Sequence, residues 1–298
     1  MIDKIYVPPI KIQGIKTKLV PLIKKSVVLR EDNVWIEPFM GSGVVGFNIR
    51  HNKAVFADIN PHVVNFYNSI KVGSVSSIVV REFLSEQGAI LSQKDADYYY
   101  EVRERFNKNH DPLDFLFLNR SCFNGMIRFN KNYDFNVPYG HKPQRFSKAY
   151  ITKIVNQVAF VEYCLRSYDW TFVCQSFEKT IQEAPDESFI YCDPPYIGRH
   201  VDYYDSWDEE SEQILCESLR KRNVPFMLST WDHNEFRSNV YINSIWKDCK
   251  KLTQNHFYHI GAKEENRNPM IEALLINYKQ PEEVKYVSEE GQLGLVFA

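Results

Sequence analysis

Short apolar runs closed by glycine, proline or acidic residues alternate with longer stretches whose apolar positions recur every three or four residues. Val34-Trp35-Ile36 reads as a strand that ends in Glu37-Pro38-Phe39. Gly41-Ser42-Gly43 then makes a tight turn, and Val44 to Ile49 forms a helix. Ala54 to Ala57 is a second strand ending at Asp58, and Pro61 stands where proline favours a helix start. Upstream, Gly14 to Lys25 reads as a helix with Leu19, Leu22 and Ile23 on one side, with Pro21 in its first turns or kinking it. The alternation returns later, with helices at Ala149–Arg166 and Glu209–Lys221. Strands are expected there at Thr171–Cys174, Phe189–Cys192, Phe226–Ser229 and Met270–Asn277. Between these halves, Ser85 to Tyr150 is rich in aromatics and asparagine and carries helices around Tyr98–Phe106 and Leu113–Arg120. Cys122 to Gly140 has no period, and irregular segments of that length tend to be functional. The pattern predicts a doubly wound α/β domain in two parts, 1–84 and 151–280, around an insert at 85–150, with an acidic tail at 281–298.

Composition narrows the class. With 298 residues, 44% hydrophobic and 25% charged, the chain is ordinarily globular, which excludes disordered, collagen-like and coiled-coil classes. No apolar run approaches the ~20 residues that cross a bilayer. The start, Met1-Ile2-Asp3-Lys4, lacks the organisation of a secretory signal. The cysteines form no C-x-x-C pair and the histidines no metal-ligand spacing, so reduced core thiols, a cytoplasmic setting, no membrane association and no metal are expected. The formal net charge of −2 argues at first against a polyanionic partner. It conceals a split. Residues 1–30 hold seven Lys/Arg against Asp3 alone, and residues 115–150 hold six against Asp134 alone. Two basic stretches on an acidic body fit a basic face turned to nucleic acid, or else solvated surface lysines.

Two motifs carry chemistry. The first is Phe39-Met40-Gly41-Ser42-Gly43 followed by Asp58, a glycine turn after one strand and an acid at the tip of the next. Such a turn lets a ligand approach the backbone, and the acid can accept hydrogen bonds from ribose hydroxyls. NAD, FAD and S-adenosyl-L-methionine all fit it, as does a merely structural turn. The second is Asp193-Pro194-Pro195-Tyr196, at the end of the apolar run Ser188–Cys192. It projects an acid, a rigid double proline and an aromatic ring at the carboxyl edge of the sheet, where such folds bind ligands. Asp193 and a proline carbonyl, that of Pro194, can accept the two hydrogens of an exocyclic amino group and turn its lone pair toward an incoming methyl cation. Tyr196 can stack on the ring that bears the amine.

These residues resemble the Dam family of DNA adenine methyltransferases, the alpha group of the D12 class, over nearly the whole chain. Lys11-Ile12-Gln13-Gly14-Ile15-Lys16 looks like its N-terminal cofactor motif and Glu37 to Gly43 its glycine motif. Ala57-Asp58-Ile59-Asn60 looks like its ribose-binding acid, and Asp193-Pro194-Pro195-Tyr196 its catalytic motif. Leu118-Asn119-Arg120, Phe123 to Asn130 and Phe135-Asn136-Val137-Pro138 are similar to its DNA-reading insert. Within the family the likeness is greatest to EcoRV-type modification enzymes, across Glu101–Arg128 and Tyr191–Tyr204.

The resemblance implies a Rossmann-like methyltransferase sheet with an inserted, mainly helical DNA-recognition domain. Asp193, Pro194, Pro195 and Tyr196 would be catalytic. Ile12, Lys16, Phe39, Gly41, Gly43, Asp58, Phe177 and Asp193 would hold S-adenosyl-L-methionine, Phe177 packing on its adenine. Many members have tryptophan where this chain has Ile12, so stacking there is lost and a backbone contact remains. Lys11, Asn119, Arg120, Phe123, Asn124, Met126, Arg128, Asn130 and Pro138 would contact double-stranded DNA. Lys11 and Arg128 stand where the family reads guanines, as Lys and Arg do in the major groove, although a plain phosphate contact is the alternative for Arg128. Phe123, often tyrosine elsewhere, would be a wedge in the base stack. The implied activity is methyl transfer to the exocyclic amino group of adenine in a specific duplex sequence, with the base flipped out. It implies further a monomer within a type II restriction-modification system, a cognate restriction endonuclease as genetic partner, and GATATC as target. A methyltransferase acting on RNA or a protein amide, and a NAD-dependent oxidoreductase, are the rival readings. The second leaves Asp193–Tyr196 and the basic insert unexplained.

Overall fold

The computed structural model describes residues 4–197, 207–256 and 270–280. Among these residues a seven-stranded sheet forms from β1 (Val34–Glu37), β2 (Lys53–Asp58), β3 (Asp169–Cys174), β4 (Ser188–Cys192), β5 (Phe226–His233), β6 (Lys250–His256) and β7 (Met270–Ile276). Their order is β3-β2-β1-β4-β5-β7-β6. The first five strands run parallel, and β7 enters antiparallel between β5 and β6. From β1 the chain moves outward through β2 to β3, then crosses back to β4 on the other side of β1. That reversal leaves a crevice at the carboxyl ends of β1 and β4.

Successive strand residues point to opposite faces, so each strand feeds two cores. Trp35, Phe189, Tyr191, Met227 and Leu274 pack into the larger cluster, while Ile36, Ile190, Cys192, Leu228 and Leu275 pack into the other. Helices α1 (Val20–Ser26), α2 (Gly46–Ile49), α3 (Pro61–Lys71), α4 (Ser77–Lys94), α5 (Ala96–Asn109), α6 (Pro112–Ser121) and α7 (Lys148–Ser167) contribute to the first cluster. The second is covered by α8 (Phe177–Gln182), α9 (Glu209–Arg222) and α10 (Tyr241–Ser244). The expected doubly wound α/β sheet is present.

Differences from the sequence reading have local causes. The first helix begins only at Val20, because Pro21 occupies its first turn. Helix α4 has no counterpart in the reading. Its interior Gly88 weakens the helical signal, yet it lets Phe146 pack against the helix, since a Cβ there would lie 2.5 Å from Phe146 Cβ. Strand β6, also unread, is a polar strand with Lys250 and Lys251 that, among the described residues, lies at the sheet edge and pairs only with β7. The divisions at 84/85 and 150/151 fall inside α4 and α7.

Segment 122–140 has no helical period because it is a ribbon. Cys122 bridges Tyr139 and Phe129 bridges Phe135. Its backbone is held by α5: Tyr99 Oη donates to Val137 O at 2.7 Å, and Asn107 both accepts from Phe135 N (2.8 Å) and donates to Phe135 O (3.2 Å). Among the described residues no helix is long and apolar enough to cross a membrane, and all six cysteines are free thiols.

The packing of α2 against β1 and β2 depends on its first residue, Gly46, whose added Cβ would lie 2.4 Å from Phe56 Cε1 and 2.7 Å from Glu37 Oε1. Gly46→Ala is therefore expected to lower unfolding stability by about 1–3 kcal/mol through overpacking, read from the urea midpoint. An unchanged midpoint would contradict this packing.

Candidate active site

Three strands end at the crevice and each delivers a different group. After β1 the chain turns through Gly41 (φ +49°) and Gly43 (φ +74°), left-handed conformations that favour glycine. Tyr67 Oη donates to Ser42 O at 2.6 Å and fixes the turn. β2 delivers Asp58, whose Oδ2 accepts the Gly41 N–H and whose Oδ1 accepts the Asn60 N–H, both at 2.9 Å. Burial raises this carboxyl, and the two N–H bonds pull it back. Each oxygen keeps a lone pair for a further donor. Phe177, the first residue of α8, stacks on Phe39 with ring centroids 5.2 Å apart, and Trp207 lies 5.5 Å from Phe39 and 5.4 Å from Phe177. Ile12 closes the turn from the other side, its Cδ1 3.7 Å from where a Gly41 Cβ would stand.

β4 delivers Asp193. Cys192 pairs with Leu228 of β5, so the next residue along each strand meets its neighbour, and Ser229 Oγ donates to Asp193 Oδ1 at 2.9 Å. Tyr191 Oη lies 3.0 Å from the same Ser229 hydroxyl. Lys16 Nζ reaches Asp193 Oδ1 at 2.9 Å and donates to Gly14 O at 2.8 Å. Burial raises the Asp193 carboxyl, and Lys16 and Ser229 oppose the shift. The same ammonium stands 4.6 Å above the Tyr196 ring. That ring is buried against Trp231, and its hydroxyl donates to Glu272 Oε1 at 3.1 Å. Trp231 Nε1 in turn donates to Ile197 O at 3.1 Å, tying the end of the Asp193–Tyr196 turn to β5. Pro194 is buried and Pro195 half-buried.

The donor set and rings fit a nucleoside that carries a charged tail. Asp58 has acceptors for vicinal hydroxyls, Phe39, Phe177 and Trp207 offer apolar surface for a purine, and the Lys16–Asp193 pair offers both signs of charge. Among the described residues no group of three or more His, Cys, Asp or Glu could hold a metal ion.

The predicted DNA-contact residues divide into two sets. Phe123 and Asn124 are exposed at the tip of a short turn, with Phe123 50% exposed and Asn124 left-handed (φ +54°). Pro138 is exposed beside them, its carbonyl accepting the Phe123 N–H at 2.8 Å. Met126 and Arg128 are half-buried on the same ribbon, and Arg128 Nε donates to Asn136 Oδ1 at 2.8 Å. Lys11 joins this surface from the N-terminal segment, its stem packed over Gly125, where a Cβ would come within 2.9 Å of Lys11 Cδ.

Asn119, Arg120 and Asn130 are turned to other work. Asn119 is fully buried, accepting from Lys11 N at 2.8 Å and donating to Lys11 O at 2.9 Å. Arg120 is buried beneath it and donates through Nη2 to Pro9 O and to Gln157 Oε1. Asn130 Oδ1 accepts from Asn132 N and Asp134 N at 2.8 and 3.0 Å, closing the ribbon's turn. Asn119 and Arg120 thus lie beneath the surface, while Asn130 is half-buried on the ribbon like Met126 and Arg128. Ser229 and Trp207 were not singled out in the sequence, and Gly125 and Asn136 entered only as members of the recognition segments. Of these, Ser229 had a usable signal, the last position of a strand beside β4.

Comparison with known proteins matches residues 13–263 to the D12 class N6 adenine-specific DNA methyltransferase family. A DNA adenine methylase of Haemophilus influenzae is 30% identical over 277 residues, covering 86% of this chain and 91% of that protein. The Type II methyltransferase M.MjaIII of Methanocaldococcus jannaschii is 30% identical over 301 residues, covering 91% and 99%. A DNA adenine methylase of Vibrio cholerae is 36% identical over 193 residues, covering 63% and 64%.

Below the crevice Glu37 is buried, its Oε1 accepting from Trp35 Nε1 at 2.9 Å, and burial pushes its carboxyl up from 4.5 to about 8. The folded chain therefore holds a proton that the unfolded chain releases in this window. The resulting stabilisation is complete below pH 4.5 and is lost as pH rises toward about 8. Glu37→Gln keeps the size and the acceptor, and is expected to flatten the fall in urea midpoint between about pH 5 and about pH 8. A slope as steep as the parent's would assign the dependence to another group.

Proposed function

The chain belongs to the D12 class N6 adenine-specific DNA methyltransferases, and from that premise we propose that it moves a methyl group from S-adenosyl-L-methionine to the exocyclic amino group of adenine in a specific double-stranded DNA sequence. The observation that carries the reading is the meeting of Asp193 and Tyr196 with Lys16 in the crevice that also receives Asp58 and the Gly41 turn. S-adenosyl-L-methionine, when bound, supplies an electrophilic methyl group. Asp58 would accept its ribose hydroxyls, Phe39 and Phe177 would offer apolar surface for its purine, Ile12 and the Gly41–Gly43 backbone would lie beside it, and Lys16 and Asp193 would meet its charged end.

Asp193 and the Pro194 carbonyl then accept the two amino hydrogens of the target base and aim its lone pair, while Pro195 stiffens the turn. Tyr196 offers a stacking face worth about 1–3 kcal/mol, which offsets part of the few kcal/mol spent unstacking the base. Lys16 stands over that face, so base entry and a shift of Lys16 are one event. As the new N–C bond forms, the S–CH3 bond of the sulfonium breaks and leaves a neutral thioether; the methylated amine then loses its proton readily to solvent, so no strong general base is needed.

Target contact is assigned to Lys11, Phe123, Asn124, Met126, Arg128, Asn130 and Pro138, with the buried Asn119 and Arg120 as their supports. A type II restriction-modification setting is in keeping with the likeness to the Type II methyltransferase M.MjaIII; a monomeric state and a cognate endonuclease as genetic partner rest on the resemblance alone. The target GATATC rests on the resemblance to EcoRV-type enzymes.

Transfer of label from methyl-labelled S-adenosyl-L-methionine to duplexes with and without the site tests this reading. No incorporation into any DNA, with clean transfer to RNA or protein, would overturn it. Asp193→Ala is expected to cut transfer at least about a hundredfold, as loss of a positioned hydrogen-bonding group at a transition state does, with DNA binding close to the parent's.

Arg128→Ala is expected to lose about 1–3 kcal/mol of discrimination between matched and mismatched duplexes. Uniform weakening on all sequences would make Arg128 a phosphate contact.

A further inference from the structure

Three rings meet on one side of the crevice, and they come from three separate turns. Phe39 follows β1, Phe177 opens α8 and Trp207 precedes α9. Phe39 and Phe177 already stack on each other, so a purine meets the outer side of the pair and does not lie between them. Trp207 touches both rings. It stands edge-on to Phe39, at an interplanar angle of 83°, and is tilted by 59° to Phe177. The indole is half-buried, so part of it remains accessible.

A hydrogen bond from behind holds this ring. Trp207 Nε1 donates to Glu212 Oε2 at 2.6 Å, and Trp246 Nε1 donates to the other oxygen, Oε1, at 2.7 Å. Glu212 and Trp246 are both buried, and Trp246 packs on Phe226 of β5 with ring centroids 6.1 Å apart. One carboxylate thus ties a ring at the site to a ring in the core. It lies in the first turn of α9, the positive end of the helix, and Asp208 caps that turn by accepting from Ser211 N at 2.9 Å. Burial raises the Glu212 carboxyl, and the two indole N–H bonds pull it back. A carboxylate is costly to bury, and an apolar residue would pack beside two indoles without that cost. What the carboxylate provides is a pair of acceptors at a fixed separation, one for each indole.

We propose that Glu212 is a positioning residue for the methyl donor: it holds Trp207 against Phe39 and Phe177, and Trp207 forms the third side of the surface that receives the donor's purine. Both roles rest on the S-adenosyl-L-methionine reading above and deepen it. The affinity of the site then depends on a residue of α9 that does not touch the ligand.

An amide cannot replace this carboxylate, and the test uses that. In Glu212→Gln one oxygen accepts from one indole, and the other indole N–H faces an NH2 group. Trp246 is fixed by the core, so Trp207 is the ring released. Trp207→Phe keeps an apolar ring and removes the N–H, and in that background the glutamine oxygen serves Trp246 alone. S-adenosyl-L-methionine is titrated calorimetrically into the full chain without DNA, for the parent, both single variants and the double variant. Each single variant is expected to bind about two- to tenfold more weakly, the size of a lost aromatic contact. The double variant is expected to match Trp207→Phe. A further loss on adding Glu212→Gln to Trp207→Phe would assign Glu212 to Trp246 and α9 and overturn the proposal, as would unchanged affinity in Trp207→Phe.

Tryptophan emission gives a readout that a purely structural role would not move. Subtracting the Trp207→Phe spectrum from the parent's isolates Trp207, and the double variant does the same for Glu212→Gln. Emission of Trp207 is expected to shift when the donor is added to the parent. Without donor it is expected to be more open to acrylamide in Glu212→Gln. Indifference to both would overturn the proposal. A parent that binds no S-adenosyl-L-methionine would overturn the donor reading itself, whereas equal binding by the parent and all three variants overturns this inference alone.

Discussion

Buried backbone must find hydrogen-bond partners, and among the described residues the segment before α1 pairs with no strand. Side-chain amides take that place. Asn48 accepts from Tyr6 N at 2.9 Å and donates to Tyr6 O at 2.8 Å, and Asn119 treats Lys11 in the same way at 2.8 and 2.9 Å. Each asparagine presents an acceptor and a donor side by side, as one residue of a neighbouring strand would. Arg120 adds a third tie at Pro9 O. Individually such bonds contribute about 0.5–1.5 kcal/mol net, but a broken one would leave buried groups unpaired at a higher cost. Everything else at the two functional surfaces hangs from this attachment. Held at Tyr6, Pro9 and Lys11, the chain lays the Lys11 stem on Gly125, Ile12 on Gly41 and the Lys16 ammonium on Asp193.

The Lys16–Asp193 contact joins the ends of that construction. Both groups are largely removed from water, and a pair of this kind is costly to break from one side, about 3–5 kcal/mol, because the remaining charge is left uncompensated. Asp193 is also bonded by Ser229, and Ser229 is met by Tyr191 from β4 itself. The carboxylate is thereby oriented from the strand below, the strand beside it and the N-terminal segment above. Because Lys16 also covers Tyr196, one lysine responds to anything that enters on either side of the turn.

The short strands and the two motifs were legible because their signals are local. An apolar run that ends in an acid is placed by the sheet wherever its neighbours lie, so Asp58 and Asp193 fell at the carboxyl edge as read. Asn119, Arg120 and Asn130 were not legible. In a stretch without period, nothing distinguishes a polar residue facing solvent, such as Asn124, from one satisfying backbone inside, such as Asn119. The same substitution of amide for strand recurs at Asn107 with Phe135, and at Asn277, which bonds Phe226 N and Val224 O. Helix α4 was hidden by Gly88, a residue whose purpose is the close approach of Phe146, about 60 positions away and so invisible to any local window. Ser229 meets Asp193 and Tyr191, and Trp207 meets Phe39 and Phe177, all distant in sequence.

Charge shows the same limit from the other side. The basic count over residues 1–30 placed a polyanion-facing stretch at the N-terminus, yet its members serve unlike ends. Lys16 is committed to Asp193, and Lys24 and Lys25 occupy the last turn of α1, where cations complement the exposed carbonyls. Lys11 remains at the surface shared with the insert, and there it meets Arg120, Lys142 and Arg145. A concentrated positive field is therefore produced by convergence of two distant segments and not by the length of either. The N-terminal segment contributes one lysine to it, and the asparagine that pins that lysine belongs to the other segment. The charge arrangement and the backbone attachment are in this sense a single device, since loosening Asn119 would move Lys11 out of the cationic wall and shift Lys16 along the same strap.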